Sequence, residues 1–181
     1  MVWIIVVILV LLILYVISTY NTLVGLKNKV KDGWSQIEVV LKRRADLIPN
    51  LVETVKGYAK HEEGTLTAVI EARNKAVSAT TPEEAMKAEG EVTQALSRLF
   101  ALTESYPELK ANQNFLDLQK SLEETENKIT YSRQFYNDNV LTYNNKTEMF
   151  PSNIVASIFR FEKFKFFEAS EKDRETPKVQ F

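Results

Sequence analysis

The first seventeen residues, MVWIIVVILVLLILYVI, are apolar without a break, and no charged side chain occurs before Lys27. Counted as helix to Tyr20, the stretch reaches about 30 Å, the thickness of a bilayer's hydrocarbon core. In lipid every backbone N–H and C=O must be satisfied within the segment, so a single spanning stretch is helical even when rich in Val and Ile. Trp3 near one end, and Tyr15 and Tyr20 toward the other, suit the two interfacial aromatic belts. A cleaved signal peptide needs a basic leader and a small-x-small exit. This chain opens Met-Val-Trp and leaves the apolar run through Val-Ile-Ser-Thr-Tyr. The sequence therefore predicts an uncleaved transmembrane anchor over residues 1–20, with the bilayer as its partner. Lys27, Lys29 and Lys31 follow the span and nothing basic precedes it. The positive-inside rule then places the body in the cytoplasm, on a single-pass protein with its N-terminus outside.

Beyond the anchor the chain is polar and balanced: 23 Lys and Arg face 24 Asp and Glu. That balance offers no basic excess for a nucleic-acid partner. With five Gly and five Pro in 181 residues, there are too few turn formers for a sandwich or barrel, which leaves helices. The absence of Cys excludes a disulfide framework, a thiol nucleophile, an iron–sulfur cluster and a lipid anchor on Cys.

Apolar residues recur at helical spacing throughout residues 21–167. Leu23, Leu26, Val30, Trp34, Ile37 and Leu41 continue the membrane helix with no strong breaker before Pro49, where a break or kink is expected near Asp46 to Pro49. A second run holds Leu51, Val52, Val55, Tyr58, Leu66, Val69, Ile70 and Val77, and Gly57 and Gly64 mark possible bends in it. Thr81, Pro82 and Glu84 then form a capping-box helix start. That third run uses Met86, Val92, Leu96, Leu99, Phe100 and Leu102, and Tyr106-Pro107 ends it. A fourth carries Phe115, Leu118, Leu122, Ile129, Tyr136, Val140 and Tyr143 and stops before Phe150-Pro151. Four apolar stripes bury one another in an antiparallel four-helix bundle. The expected fold is all-α: a transmembrane helix continuing into that bundle, then a short aromatic-rich C-terminal segment.

That segment contains Phe159, Phe161, Phe164, Phe166 and Phe167. Two readings stay open. Either Ser152 or Asn153 caps a short helix that folds over the bundle, or the aromatic residues are a contact surface for a partner or for the bilayer interface, flanked by Arg160, Lys163 and Lys165. Residues 168–181 are charged, contain Pro177 and are predicted to be disordered.

Longer words in the chain are specific. Tyr20-Asn21-x-Leu23, Trp34-Ser35-Gln36-Ile37-Glu38-Val39 and Leu41-Lys42-Arg43-Arg44-Ala45-Asp46-Leu47-Ile48-Pro49-Asn50-Leu51-Val52 resemble the LemA family of bacterial membrane proteins. The likeness continues through Glu53 to Ala59 and His61-Glu62. It resumes at Tyr106 to Asn112, Phe115-Leu116-x-Leu118-Gln119, Glu124 to Asn127 and Arg133-Gln134-Phe135-Tyr136-Asn137-Asp138. The resemblance implies a short membrane anchor, a helical-bundle body and no established biochemical activity, in the bacterial plasma membrane. Some relatives look like exported lipoproteins, but the Cys they need is missing here.

No catalytic constellation accompanies this architecture. A di-iron bundle needs Glu-x-x-His on each of two helices, whereas this chain has one His. His61, with Glu62, Glu63, Glu53, Glu71, Glu126 and Asp138, leaves only a carboxylate-based metal site conceivable, and His61 reads more simply as a solvated helix position. No cofactor is expected. Polar residues that interrupt apolar stripes are more informative: Arg44, Asp46, Asn50, Arg73, Glu126, Arg133 and Asn137 are expected to share a hydrogen-bonded network, since a buried charge must be paired. Such a network either fixes helix register or builds a ligand or partner site, the third reading being that these side chains are simply exposed at the surface. The first functional expectation is a non-enzymatic, membrane-tethered scaffold or regulatory module for other membrane proteins at the cytoplasmic face, capable of self-association. The alternatives are a carboxylate-based metal-dependent enzyme and a lipid-interface protein.

Overall fold

A computed structural model describes residues 1–167; the predicted disorder of 168–181 lies outside them. The described residues contain six helices: α1 (Val2–Lys56), α2 (Glu63–Ser78), α3 (Pro82–Thr103), α4 (Pro107–Lys110), α5 (Gln113–Glu148) and α6 (Ser152–Ile158). The all-α expectation is met. The apolar run and the first helix of the body are one uninterrupted element, α1.

The chain forms two compact units. One comprises residues 1–36 and 132–166, the other 37–131 together with Phe167.

In the second unit one core draws on every helical stripe. Ile48, Leu51, Val52 and Val55 of α1, Leu66 and Val69 of α2, Val92, Leu96 and Leu99 of α3, Leu109 of α4, and Phe115 and Leu122 of α5 are all buried in it. The start of α3 follows its sequence signature. The Thr81 hydroxyl accepts from the Glu84 amide at 3.2 Å, and the Glu84 carboxylate accepts from the Thr81 amide at 3.3 Å.

Of the break or kink expected at Asp46 to Pro49, the break does not occur. Pro49 lies inside α1, where its ring removes one backbone donor. The carbonyl that loses that donor belongs to Ala45, four residues earlier, and Arg73 Nε of α2 donates to it at 3.2 Å. A tertiary contact thus fills the gap in the ladder. The break comes at Gly57 instead: α1 ends at Lys56, and the amides of Tyr58 and Ala59 both turn back onto the Val55 carbonyl. The second apolar run is therefore shared between the tail of α1 and α2, and Ile70 and Val77 stay exposed.

The first unit is built on close approach. A Cβ added at Gly33 would stand 3.3 Å from Tyr136 Cα, and the Trp34 and Tyr136 rings meet edge to face at 5.7 Å. Leu23 of α1 is buried with Val155 and Ala156 of α6, flanked by Val16 and Phe161. The expected cap of α6 is corrected: Pro151 holds the N-cap position with no side-chain bond. The Ser152 hydroxyl lies 2.7 Å from the Lys146 carbonyl and 2.8 Å from that of Met149, tying it to the end of α5.

Candidate functional site

The second unit contains a buried charge cluster. Arg44 of α1 is among the most deeply buried side chains of the chain. Its Nη1 donates to Glu126 Oε2 of α5 at 2.5 Å and to Thr93 Oγ1 of α3 at 3.0 Å. Its Nη2 donates to the Glu89 carboxylate of α3 and to the Glu89 carbonyl, the latter at 3.2 Å. Glu89 is buried, whereas the Glu126 side chain is 42% exposed. A planar guanidinium with its donors in a fixed fork suits this role, because it can serve carboxylates from two helices at once. One guanidinium thus faces two carboxylates, with Glu126 on the more open side of the cluster.

On that side a groove of about 300 Å³ opens between α3 and α5, lined by Arg44, Leu96, Phe100, Gln119, Leu122 and Glu126 among others. It is small for a ligand site. Its chemistry is an apolar floor with acidic groups at one end.

The other residues predicted for the network lie elsewhere. Asp46 is exposed and pairs with Lys42 at 2.9 Å along the helix surface. Asn50 is exposed too, its carbonyl accepting from the Thr54 hydroxyl. Arg73 serves the Ala45 carbonyl and the Asn74 side chain. Arg133 and Asn137 are half-buried, on the stretch of α5 that belongs to the first unit. The structure brings Arg44 and Glu126 together, while the bonds of Asp46, Asn50 and Arg73 go to other groups. Glu89 escaped the sequence reading although it carried the same signal as the others. It sits three residues before Val92 and seven before Leu96, on the buried stripe of α3.

His61 lies exposed in the turn after α1 rather than on a helix. Among the described residues no three His, Asp or Glu side chains are grouped to hold a metal ion.

The aromatic C-terminal segment is fastened to α5 by polar side chains. The Tyr143 hydroxyl donates to the Glu162 carbonyl at 2.9 Å and that of Tyr136 to the Lys165 carbonyl at 3.0 Å. Asn144 pairs with the Phe164 backbone twice, donating to its carbonyl at 2.9 Å and accepting from its amide at 3.1 Å. Burial, together with the nearby Glu162 charge, pushes the Tyr143 hydroxyl above the ordinary tyrosine pKa. Phe161 and Phe164 are half-buried and Phe167 is buried, while Phe159 and Phe166 stay largely exposed. Tyr20 meets the rings of Phe159 at 4.8 Å and Phe161 at 5.6 Å. Trp3 and Tyr15 are exposed on α1, the condition expected of lipid-facing side chains.

The sequence profile of the LemA family matches residues 33–181. The chain belongs to the LemA family. It is 28% identical over 175 residues to magnetosome protein MamQ 2 of Paramagnetospirillum magneticum, the match covering 82% of this chain and 64% of that protein. Magnetosome protein MamQ of Magnetospirillum gryphiswaldense is 26% identical over 174 residues, with the same two coverages. Protein LemA of Metamycoplasma hominis is 28% identical over 158 residues, covering 85% of this chain and 71% of that one. The LemA-family chain described here thus spans about 64% of the length of the magnetosome relatives it matches. One of its helices, Val2–Lys56, is long and apolar enough to cross a membrane.

Proposed function

We propose that this LemA-family chain is a non-enzymatic, membrane-tethered helical module that binds and organises other membrane proteins at the cytoplasmic face of the bacterial plasma membrane. The observation that carries the reading is α1. A single helix, Val2–Lys56, supplies both the apolar span and the first helix of the folded body. Such a helix suits a device that presents a surface at a membrane more than one that must diffuse to a substrate. Lys27, Lys29 and Lys31, placed just after the span, support a cytoplasmic body. In this reading the Arg44 cluster sets helix register, since a buried cation held by two helices accepts few alternative alignments.

Crosslinking in native membranes with the anchor intact, followed by purification, tests the proposal. Reproducible partners, or a crosslinked second copy, are expected. A chain that copurifies with nothing, itself included, would overturn the scaffold reading. Protease treatment of spheroplasts tests sidedness, and digestion of the body from outside would reverse it.

A further inference from the structure

We infer that α6 and its flanks form an interfacial foot, a second point of attachment that lies in the headgroup boundary of the same bilayer the span crosses. Residues 149–159, MFPSNIVASIF, carry no charge. Ser152, Val155 and Ala156 are buried, and the last two pack with Leu23 and Val16 of α1. The exposed side of the segment is mostly apolar as well: Met149 is 62% exposed, Phe150 80%, Ile154 53%, Ile158 66% and Phe159 48%, with Asn153 and Ser157 as exposed polar residues among them. Ile154 and Ile158 are one turn apart and share a face. A patch of this kind marks an interaction surface.

Its position identifies the occupant. Val16 and Tyr20 belong to the last turns of the apolar run, so a segment seated on Val16, Tyr20 and Leu23 stands where the hydrocarbon ends. The run's length fixes that level, since about twenty helical residues fill the core. An apolar helix face at that depth meets the boundary between acyl chains and headgroups. Charges frame the patch on its polar side: Arg160 is exposed, and Lys27 Nζ lies 5.9 Å from the Phe161 ring centre. Cations at that level attract anionic headgroups. The foot rests on the membrane tether but not on the scaffold reading.

The test uses the full chain, whose lack of Cys makes single labels unambiguous. Ile154→Cys, Ile158→Cys, Leu9→Cys and Glu123→Cys, each at an exposed position, carry an environment-sensitive fluorophore in vesicles of phosphatidylcholine and phosphatidylglycerol. Labels at 154 and 158 are expected to shift to the blue, to be quenched by nitroxide-bearing lipid and to lose quenching by aqueous iodide, with the label at 123 doing the reverse. If 154 and 158 are as open to iodide as 123 while position 9 is quenched from the lipid, the foot is wrong and the anchor stands. If position 9 is also in water, the tether fails and the foot with it. Shielding of 154 and 158 from both quenchers would assign the face to another protein surface and overturn the proposal.

Discussion

Arg73 Nε donates to the carbonyl of Ala45 at 3.2 Å, and Ala45 is the residue whose usual partner four positions later is Pro49. A proline inside a helix costs about 3 kcal/mol and leaves a carbonyl without its donor. Here an arginine from the next helix supplies that donor, which is why α1 continues to Lys56.

The pairing predicts a coupling. Arg73→Ala is expected to destabilise the second unit by about 1–3 kcal/mol, the range for a buried polar group stripped of its partner. In a Pro49→Ala background the amide of residue 49 reclaims the Ala45 carbonyl, so Arg73→Ala should cost less. Thermal unfolding of the four variants, followed by circular dichroism in detergent, reads the difference. Equal costs in both backgrounds would show that Arg73 acts elsewhere.

Removal of Arg44 should be severe. Arg44→Met leaves the buried Glu89 carboxylate without its guanidinium, and loss of one partner of a buried ion pair costs about 3–5 kcal/mol. Replacing Glu89 as well, with Leu, removes the stranded charge and should recover most of the loss. A double variant as unstable as the single one would mean that packing rather than charge is at stake.

The start of α3 gives a pH signature. Backbone and hydroxyl bonds from Thr80, with the Thr81 amide, hold the Glu84 carboxyl below its ordinary value. A group lowered in this way adds stability above its unfolded pKa and loses it as the pH falls through the lowered value. Glu84→Gln should therefore flatten the acid limb of melting temperature against pH and leave its neutral-to-alkaline part parallel to the parent. Thr81→Ala should cost about 1 kcal/mol, as N-cap losses do.

Asn144 is expected to control access to the C-terminal segment. Asn144→Ala removes both bonds to the Phe164 backbone and should expose residues 160–167 to limited proteolysis. Tyr143→Phe, which deletes one hydroxyl bond, is expected to have a smaller effect of about 1 kcal/mol. Cleavage rates unchanged in Asn144→Ala would show that ring packing holds the segment.

Two glycines of α1 separate propensity from packing. Nothing lies within 4 Å of a Cβ built at Gly25, so Gly25→Ala should stabilise by up to about 1 kcal/mol. At Gly33 the new methyl stands 3.3 Å from Tyr136 Cα, a backbone atom that yields little. Gly33→Ala is expected to forfeit that gain, and Gly33→Leu to disrupt the first unit outright. Melting temperatures that rise equally for both alanine variants would contradict the close approach.

Much of this was legible in the residues. The uncharged run to Ile17, the capping box at Thr81 and the heptad-like stripe of α5 each depend on neighbours within a few positions, and the structure bears them out. The candidate site was less legible. Arg44 and Glu126 stood out because they interrupt apolar stripes, but Asp46 and Asn50 stood beside the same stripe and proved to be surface residues. Two and six residues after Arg44, they fall on the far side of the helix. Glu89 satisfied the same rule and was missed because acidic residues crowd the start of α3 and mask the one that turns inward.

Period and polarity are local, so the chain alone determined which stretches are helical, which one prefers lipid and where one helix must begin. Tertiary structure decided what no local rule reaches. It carried α1 past Pro49 because Arg73, 28 residues away in sequence, brings a donor to a carbonyl that local geometry leaves bare. It set Glu89 and Glu126, from two helices, on one guanidinium, and it seated α6 on Leu23. Such contacts join distant residues whose partners are fixed only when helices pack, because desolvated charge and freed backbone groups must then find a complement.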